Sequence, residues 1–483
     1  MDGPEDVRVR RSEFLVSTAA SVAAVRARRS VLRLSAVPAG HDVDPYRDAE
    51  RGIDEIAWLY ADGLVGWNGA PTPLLAARLP AIGDRGRRYR YDLRDVRWHD
   101  GEPLRATDVV NAFAAVRRSF WGTYEPYHGV RAVVPTGERS FEVVLEQPNA
   151  AFARTFFGAC ARPSLPLLRS SPGSLPVGTG PFAVRERIEA NRWRLEQAGD
   201  TVRGRAQLDA IELRYLFSRE TEFVTLLTGE TDVALPIPGR FPASASFRRI
   251  RRSNGITLML LNAEGPFGDF STRVALAGSL DVFSIQRGYD PRRASLLASF
   301  RLDRGNDPAL ARRLAAHPAA IGELRRRLSG HEVRLITLPG TSVDVVMGLV
   351  RQRLVNDAGV AVRMIRTPYD GLYGPTSPLR TGDFDLALNS YAYVDAADLG
   401  ADWSCAMRAP AGGNFARWCD HELDGAIAKG DTAAAFRRLY DLLAAIPMSE
   451  AYEDIGVAHR VCDVPAPAAL VPATYTCSDW RIC

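Results

Sequence analysis

The chain has 483 residues, 46% apolar and 24% charged, with 61 basic against 57 acidic side chains. That balance fits a globular protein of about three domains or two large lobes, and it excludes disorder, collagen and heptad fibres. No run of 18 apolar residues occurs, so the chain does not span a bilayer as helices, and a net charge of +4 is too small to argue for nucleic acid.

Residues 1–30 open the chain with Arg8, Arg10 and Arg11 before a weakly apolar stretch from Phe14 to Val25. This reads as a degenerate export signal of twin-arginine type. Alternation makes Val31 to Val37 a strand, apolar spacing from Ile53 to Leu64 is helical, and Tyr89 to Leu93 alternates again. Thr107 and Asp108 cap a helix, and a hairpin follows at 130–134 and 140–145. The stretch from Pro163 to Pro181, with five prolines and three glycines, reads as an extended connection between lobes. Strands are expected at 182–184, 193–196, 211–215 and 256–261, and helices at 220–228 and 272–280. Arg248, Arg249, Arg251 and Arg252 form a basic cluster that reads as a solvated loop. Residues 309–328 read as one arginine-rich helix with a solvated face. A strand at 333–338, an amphipathic helix at 343–357 and strands at 360–365 and 384–389 imply a parallel crossover sheet, so the fold class is α/β.

The chemistry-bearing residues are sparse. Lys429 is the only lysine, so a Schiff-base enzyme would have a single amine, and a P-loop would need glycine where Ala428 stands. The remaining basic residues are all arginine, which reads as codon preference. Six cysteines (160, 405, 419, 462, 477 and 483) contain no CxxC pair, and Cys419, His421 and Glu422 lack partners at metal spacing. In an oxidising compartment Cys405 and Cys419 could close a short loop and the C-terminal cysteines another. There is no GxSxG, HExxH or nucleotide-binding loop. No catalytic residue, cofactor or metal ligand set is therefore expected.

The order of short motifs is more telling. Trp98-His99-Asp100-Gly101-Glu102-Pro103 runs into Ala106-Thr107-Asp108-Val109-Val110, a turn followed by a capped helix. Val177-Gly178-Thr179-Gly180-Pro181-Phe182, Gly229-Glu230-Thr231-Asp232, Gly382-Asp383-Phe384-Asp385 and Gly413-Asn414-Phe415 with Trp418-Cys419 follow in turn. This series resembles the family-five extracellular solute-binding proteins, the dipeptide- and oligopeptide-binding components of ABC importers.

The resemblance implies a two-lobe periplasmic-binding-protein-like fold with a hinge and an inserted domain. Lobe I would comprise 31–46, 173–255 and 456–483, the insert 47–172, and lobe II 256–455. It implies an exported, monomeric protein, periplasmic or extracellular, that delivers a peptide or peptide-like solute to an ABC permease, with no nucleic-acid partner. Ligand-binding positions carried over are Tyr60, Ala61, Asp62 and Gly63 on one side, and Asn389, Ser390, Tyr391 and Trp403 on the other. Relatives that hold a free α-amino group place an aspartate where Val394 stands; a shift of one residue would let Asp395 take that role, with Asp398 beyond it, and otherwise the ligand is not a peptide with a free N-terminus. A Cys405–Cys419 disulfide is implied as well. The alternative is a scaffold reused as a biosynthetic enzyme or cytoplasmic sensor.

Overall fold

The computed structural model describes residues 30–483 except 38–41, 48–52, 124–125, 150, 161–163, 217, 238–243, 291–292, 303–304, 340–341, 375, 411 and 468–470. Residues 1–29 of the expected export signal lie outside the described residues. Ten strands make one mixed sheet: β1 (Val31–Ala36), β2 (Phe182–Glu189), β3 (Arg192–Gln197), β4 (Ala210–Tyr215), β5 (Val233–Ile237), β6 (Phe247–Leu261), β7 (Val333–Thr337), β8 (Val362–Arg366), β9 (Leu386–Tyr391) and β10 (Ala445–Ala458). Their order across the sheet is β8-β7-β9-β6-β10-β5-β1-β4-β3-β2. Strand β1 runs parallel to β4 and β5 in one half, and β7 runs parallel to β8 and β9 in the other. Each half is thus an α/β crossover unit.

Apolar side chains gather into two large cores. The first contains Leu34, Leu213 and Val457, and Tyr91, Phe141 and Phe156 of the segment expected as an insert belong to the same cluster. That segment adds a four-stranded antiparallel sheet (Ala81–Gly83, Arg88–Asp92, Val130–Pro135 and Ser140–Leu145) beside the helix Ala106–Arg118. The second core contains Leu260, Leu335, Leu388 and Trp403. We refer to the two cores with their covering elements as the first and second bodies.

Strands β6 and β10 are long enough to enter both bodies. Ile250 and Ile455 pack in the first core, and Ile256 and Met448 in the second. Between them Arg251, Arg252, Ser253 and Gly255 pair with Asp454, Glu453, Tyr452 and Ala451, none of these residues nor Ser449 and Glu450 belongs to either core, and the pairing register slips between Ser253 and Gly255. A slip of this kind bends and twists a ladder without breaking it. At Gly255 (φ 155°) a Cβ would lie 2.7 Å from the Tyr391 carbonyl oxygen, so the close approach of β9 requires glycine.

The arginine cluster is in this strand pair, not in a solvated loop. Arg251 holds Asp454 with two bonds of 2.7 and 2.9 Å. Arg252 is buried, pairs with Glu55 and Glu453, and donates to the Val471 carbonyl at 2.7 Å. Burial acts against the Arg252 charge, and the two carboxylates outweigh it, so its pKa stands above the ordinary arginine value.

Other expectations need correction. The helix read from 53 to 64 spans only Ile53–Ala57. The helix read over 309–328 is two, Pro308–Leu314 and Pro318–Arg327, because Pro318 has no N–H to continue the first. Thr107 does not cap its helix; Asp108 accepts from the Arg105 amide at 2.8 Å and the Trp98 indole at 3.2 Å. The proline-rich connection is partly core, with Leu165, Leu167 and Leu168 buried.

The hinge geometry predicts that Gly255→Ala costs about 1–3 kcal/mol in urea unfolding, since its methyl meets backbone in a rarely allowed conformation. Gly348→Ala, where a methyl meets open space inside a helix, should instead gain about 0.5–1 kcal/mol.

Candidate functional site

The outer end of β9 lies beside the hinge. Tyr391, Ser390 and Asn389 pair with Ile256, Thr257 and Leu258 of β6 on one edge. On the other edge β7 pairs only with Leu386 and Ala387. Among the described residues no strand pairs with that edge from Leu388 to Tyr391, and both of those residues are buried. Asn389 and Ser390 are half-buried. Asn389 Oδ1 accepts from Tyr373 Oη at 2.9 Å and from the Ser390 amide at 3.0 Å. Ser390 Oγ lies 3.0 Å from Thr257 Oγ1.

Behind this edge an aromatic stack fixes the strand end. Tyr391 lies on Tyr393 with ring centroids 5.2 Å apart, and Trp403 stands 6.3 Å from Tyr391. Trp403 is fully buried, and its indole donates to Tyr393 Oη at 2.9 Å, which in turn reaches Asp402 at 3.0 Å. Trp403 is therefore part of the second core.

Asp395 and Asp398 come together, but on a residue that the sequence did not single out. Arg154, in the short helix Phe152–Thr155 of the first body, donates to Asp395 at 2.8 and 3.2 Å and also to Asp398. The partners are separated by more than 240 residues and belong to different bodies. The two carboxylates also cap the helix Ala396–Trp403 from its first turn. Burial opposes all three charges. Arg154 overcomes it and ends above the ordinary arginine value, drawing Asp395 below the usual aspartate range. Asp398 stays above that range through burial, with the neighbouring Asp395 adding to it. The one signal in the sequence was an isolated arginine inside the aromatic run from Phe152 to Phe157, where an unpaired charge would be costly.

Tyr60, Ala61, Asp62 and Gly63 lie in the packed interior of the first body. Tyr60, Ala61 and Asp62 are fully buried, and their backbone is already paired. The Gly180 amide donates to the Tyr60 carbonyl at 3.0 Å, Leu167 to that of Asp62 at 2.8 Å, and Leu75 to that of Gly63 at 3.1 Å. Asp62 is neutralised by Arg203 Nε at 2.5 Å, and Arg203 also donates to the Trp58 and Tyr475 carbonyls. A Cβ on Gly63 would lie 2.2 Å from the Phe157 carbonyl oxygen. The aromatic-acid-glycine signature is thus a packing junction of the first body. His99 likewise serves structure, its ring on the Gly180 carbonyl at 2.8 Å.

Cys405 and Cys419 form a disulfide with Cα atoms 4.4 Å apart. Cys462 and Cys483 form a second, unassigned in the sequence, at 5.9 Å. Although His421 lies close to the first pair, disulfide sulfurs offer no thiolate to a metal. An open depression of about 600 Å³ beside the second pair is lined by Arg248, His459 and Asp463, and none of Arg154, Asn389, Ser390, Asp395 and Asp398 borders it.

The sequence pattern of the bacterial extracellular solute-binding proteins, family 5 Middle, matches residues 70–399. The chain belongs to this family. Among relatives, an ABC transporter peptide-binding protein of Brucella ovis is 25% identical over 153 residues, a match spanning only 29% of either chain. Di/tripeptide-binding protein 5 of Pseudomonas aeruginosa is 25% identical over 415 residues, 76% of this chain and 77% of that one. Solved structures of similar fold include AgaA from A. tumefaciens R10 in complex with agropinic acid (16% identity, TM-score 0.75) and DppA from Helicobacter pylori in complex with the peptide STSA (16% identity, TM-score 0.72). Each comparison covers 94% of this chain and 98% of the other. No described helix is long and apolar enough to cross a membrane.

The cysteine arrangement predicts that denatured, unreduced protein alkylates at two thiols, Cys160 and Cys477. Cys405→Ser should lower stability by about 3 kcal/mol, measured by urea unfolding of the oxidised protein; a third reactive thiol in the wild type would contradict the pairing.

Proposed function

We propose that the protein captures a peptide or peptide-like solute at the seam between its two bodies and hands it to an ABC permease, as an exported monomer with a binding and not a catalytic role. The observation that carries this reading is the outer edge of β9 from Leu388 to Tyr391, next to the hinge, with which no described strand pairs. Extended ligands add to such an edge through main-chain bonds, which gives affinity with tolerance of side chains. Tyr391 anchors that edge in the second core, and the half-buried Asn389 and Ser390 present polar groups beside it.

The names of the relatives support the same reading, since they include peptide-binding proteins, while AgaA holds agropinic acid and keeps the solute class broad. In this reading lobe I comprises 31–46, 173–255 and 456–483, the insert 47–172 and lobe II 256–455. Closure about the hinge excludes water from the edge, strengthening each hydrogen bond made there. The chain's first thirty residues act as the export signal in this reading.

Native mass spectrometry of the protein from its own host is expected to show a shortened N-terminus and a retained solute of peptide-like mass. A pool of peptides of two to five residues should raise the melting temperature of the stripped protein. An intact N-terminus, no retained mass and no thermal response to the pool would sink the proposal.

A further inference from the structure

The Arg154 cluster joins the two bodies, and its hydrogen-bond capacity is nearly used up. An ionised carboxylate offers about four lone-pair sites. Asp395 Oδ1 takes the Ala397 amide at 3.0 Å, the Asp398 amide at 3.3 Å and Arg154 Nη2 at 3.2 Å, while Oδ2 takes Arg154 Nη1 at 2.8 Å. Asp398 Oδ2 takes the Val394 and Asp395 amides at 2.8 and 3.2 Å, and Oδ1 takes Arg154 Nη2. Asp395 Oδ2 and Asp398 Oδ1 each keep one lone-pair site beyond their bond to Arg154, so an arriving ammonium would have to share both carboxylates with the guanidinium.

Both ends of the bridge are rigidly mounted. Arg154 stands between Phe152 and Phe156, each fully buried in the first core. The aspartates form the start of the helix Ala396–Trp403, which Leu399 and Trp403 anchor in the second core. A guanidinium forked onto two carboxylates fixes direction as well as distance, which a lysine could not do. The two aspartates follow the end of β9 by four and seven residues of chain, and the bridge joins that segment to the first body.

We propose that Arg154 is a built-in counter-ion: it occupies the Asp395–Asp398 pair, draws the seam together without ligand, and stands where a cationic group of the solute would otherwise bind. The solute is then held without an ammonium anchor at this pair, which favours N-blocked or otherwise uncharged-headed peptide-like compounds. This solute class rests on the peptide reading of the β9 edge; the counter-ion itself does not.

Two measurements separate the parts. In small-angle scattering of the ligand-free protein, Arg154→Gln should enlarge the radius of gyration relative to wild type. Asp395→Asn/Asp398→Asn, which retains a helix-capping side chain, should enlarge it in the same way, with circular dichroism unchanged. An unchanged radius in both variants overturns the proposal. In calorimetry, trialanine and N-acetyl-trialanine should bind wild type within about threefold of each other, whereas Arg154→Gln should prefer the free amine by about tenfold or more, the worth of one charge-assisted bond. A tenfold free-amine preference in wild type also overturns it. If neither peptide binds either protein, the peptide reading fails and the scattering comparison alone decides the counter-ion.

Discussion

Everything in this molecule is referred to one pair of antiparallel strands. β6 and β10 carry an unbroken ladder from the first core to the second, and between the cores the ladder has no apolar packing of its own. Its stiffness comes from main-chain bonds and from the Arg251–Asp454 and Arg252–Glu453–Glu55 ion pairs. Such a joint can twist through small changes in a few dihedrals without exposing either core, whereas a joint sharing apolar side chains would expose apolar surface with every degree of motion. The position of β9, held against Gly255, and the reach of Arg154 to its aspartates follow from where this joint lies.

The arginines do more than codon preference would suggest. Arg203, Arg252, Arg273 and Arg417 are all nearly or fully buried, and each satisfies several acceptors at once. Arg273 donates to the carbonyls of Leu442, Phe267 and Gly268 and lies 4.2 Å over the Trp418 ring. Burial pulls its pKa down to about 10, which still leaves it charged at neutral pH. A planar fork with five donors ties three separate chain segments through one side chain, and a lysine would leave carbonyls unpaired. The abundance of arginine in the composition is silent about this; its placement is not.

The fold was legible because it is written in local signals. Alternation at Val31 and Val333, turns at Gly180 and Gly382, and the order of motifs point to a two-body α/β architecture, and the family assignment agrees. What escaped was the hinge strand: Arg248 to Arg252 looks solvated in sequence, because only the fold brings Glu453 and Asp454 opposite it. Strand β10 escaped as well. The site was less legible still. Tyr60 to Gly63 carry a motif whose residues are spent on packing, and Asp395 and Asp398 were found without their partner. Arg154 lies about 240 residues away, a distance over which no local pattern carries information. The Cys405–Cys419 pair came from resemblance, while Cys462–Cys483 needed the chain's three-dimensional path.

The central claim is that two rigid bodies move about a joint confined to residues 251–255 and 449–454. Its most direct test is a pair of experimental structures, solute-free and solute-loaded, superposed on each core in turn. Leu34, Leu213 and Val457 should keep their mutual positions, Leu260, Leu335 and Leu388 should keep theirs, and backbone dihedral changes should concentrate in those two short segments. Rearrangement inside either core, or a loaded form whose bodies keep the solute-free orientation in the Arg154→Gln variant, would contradict it.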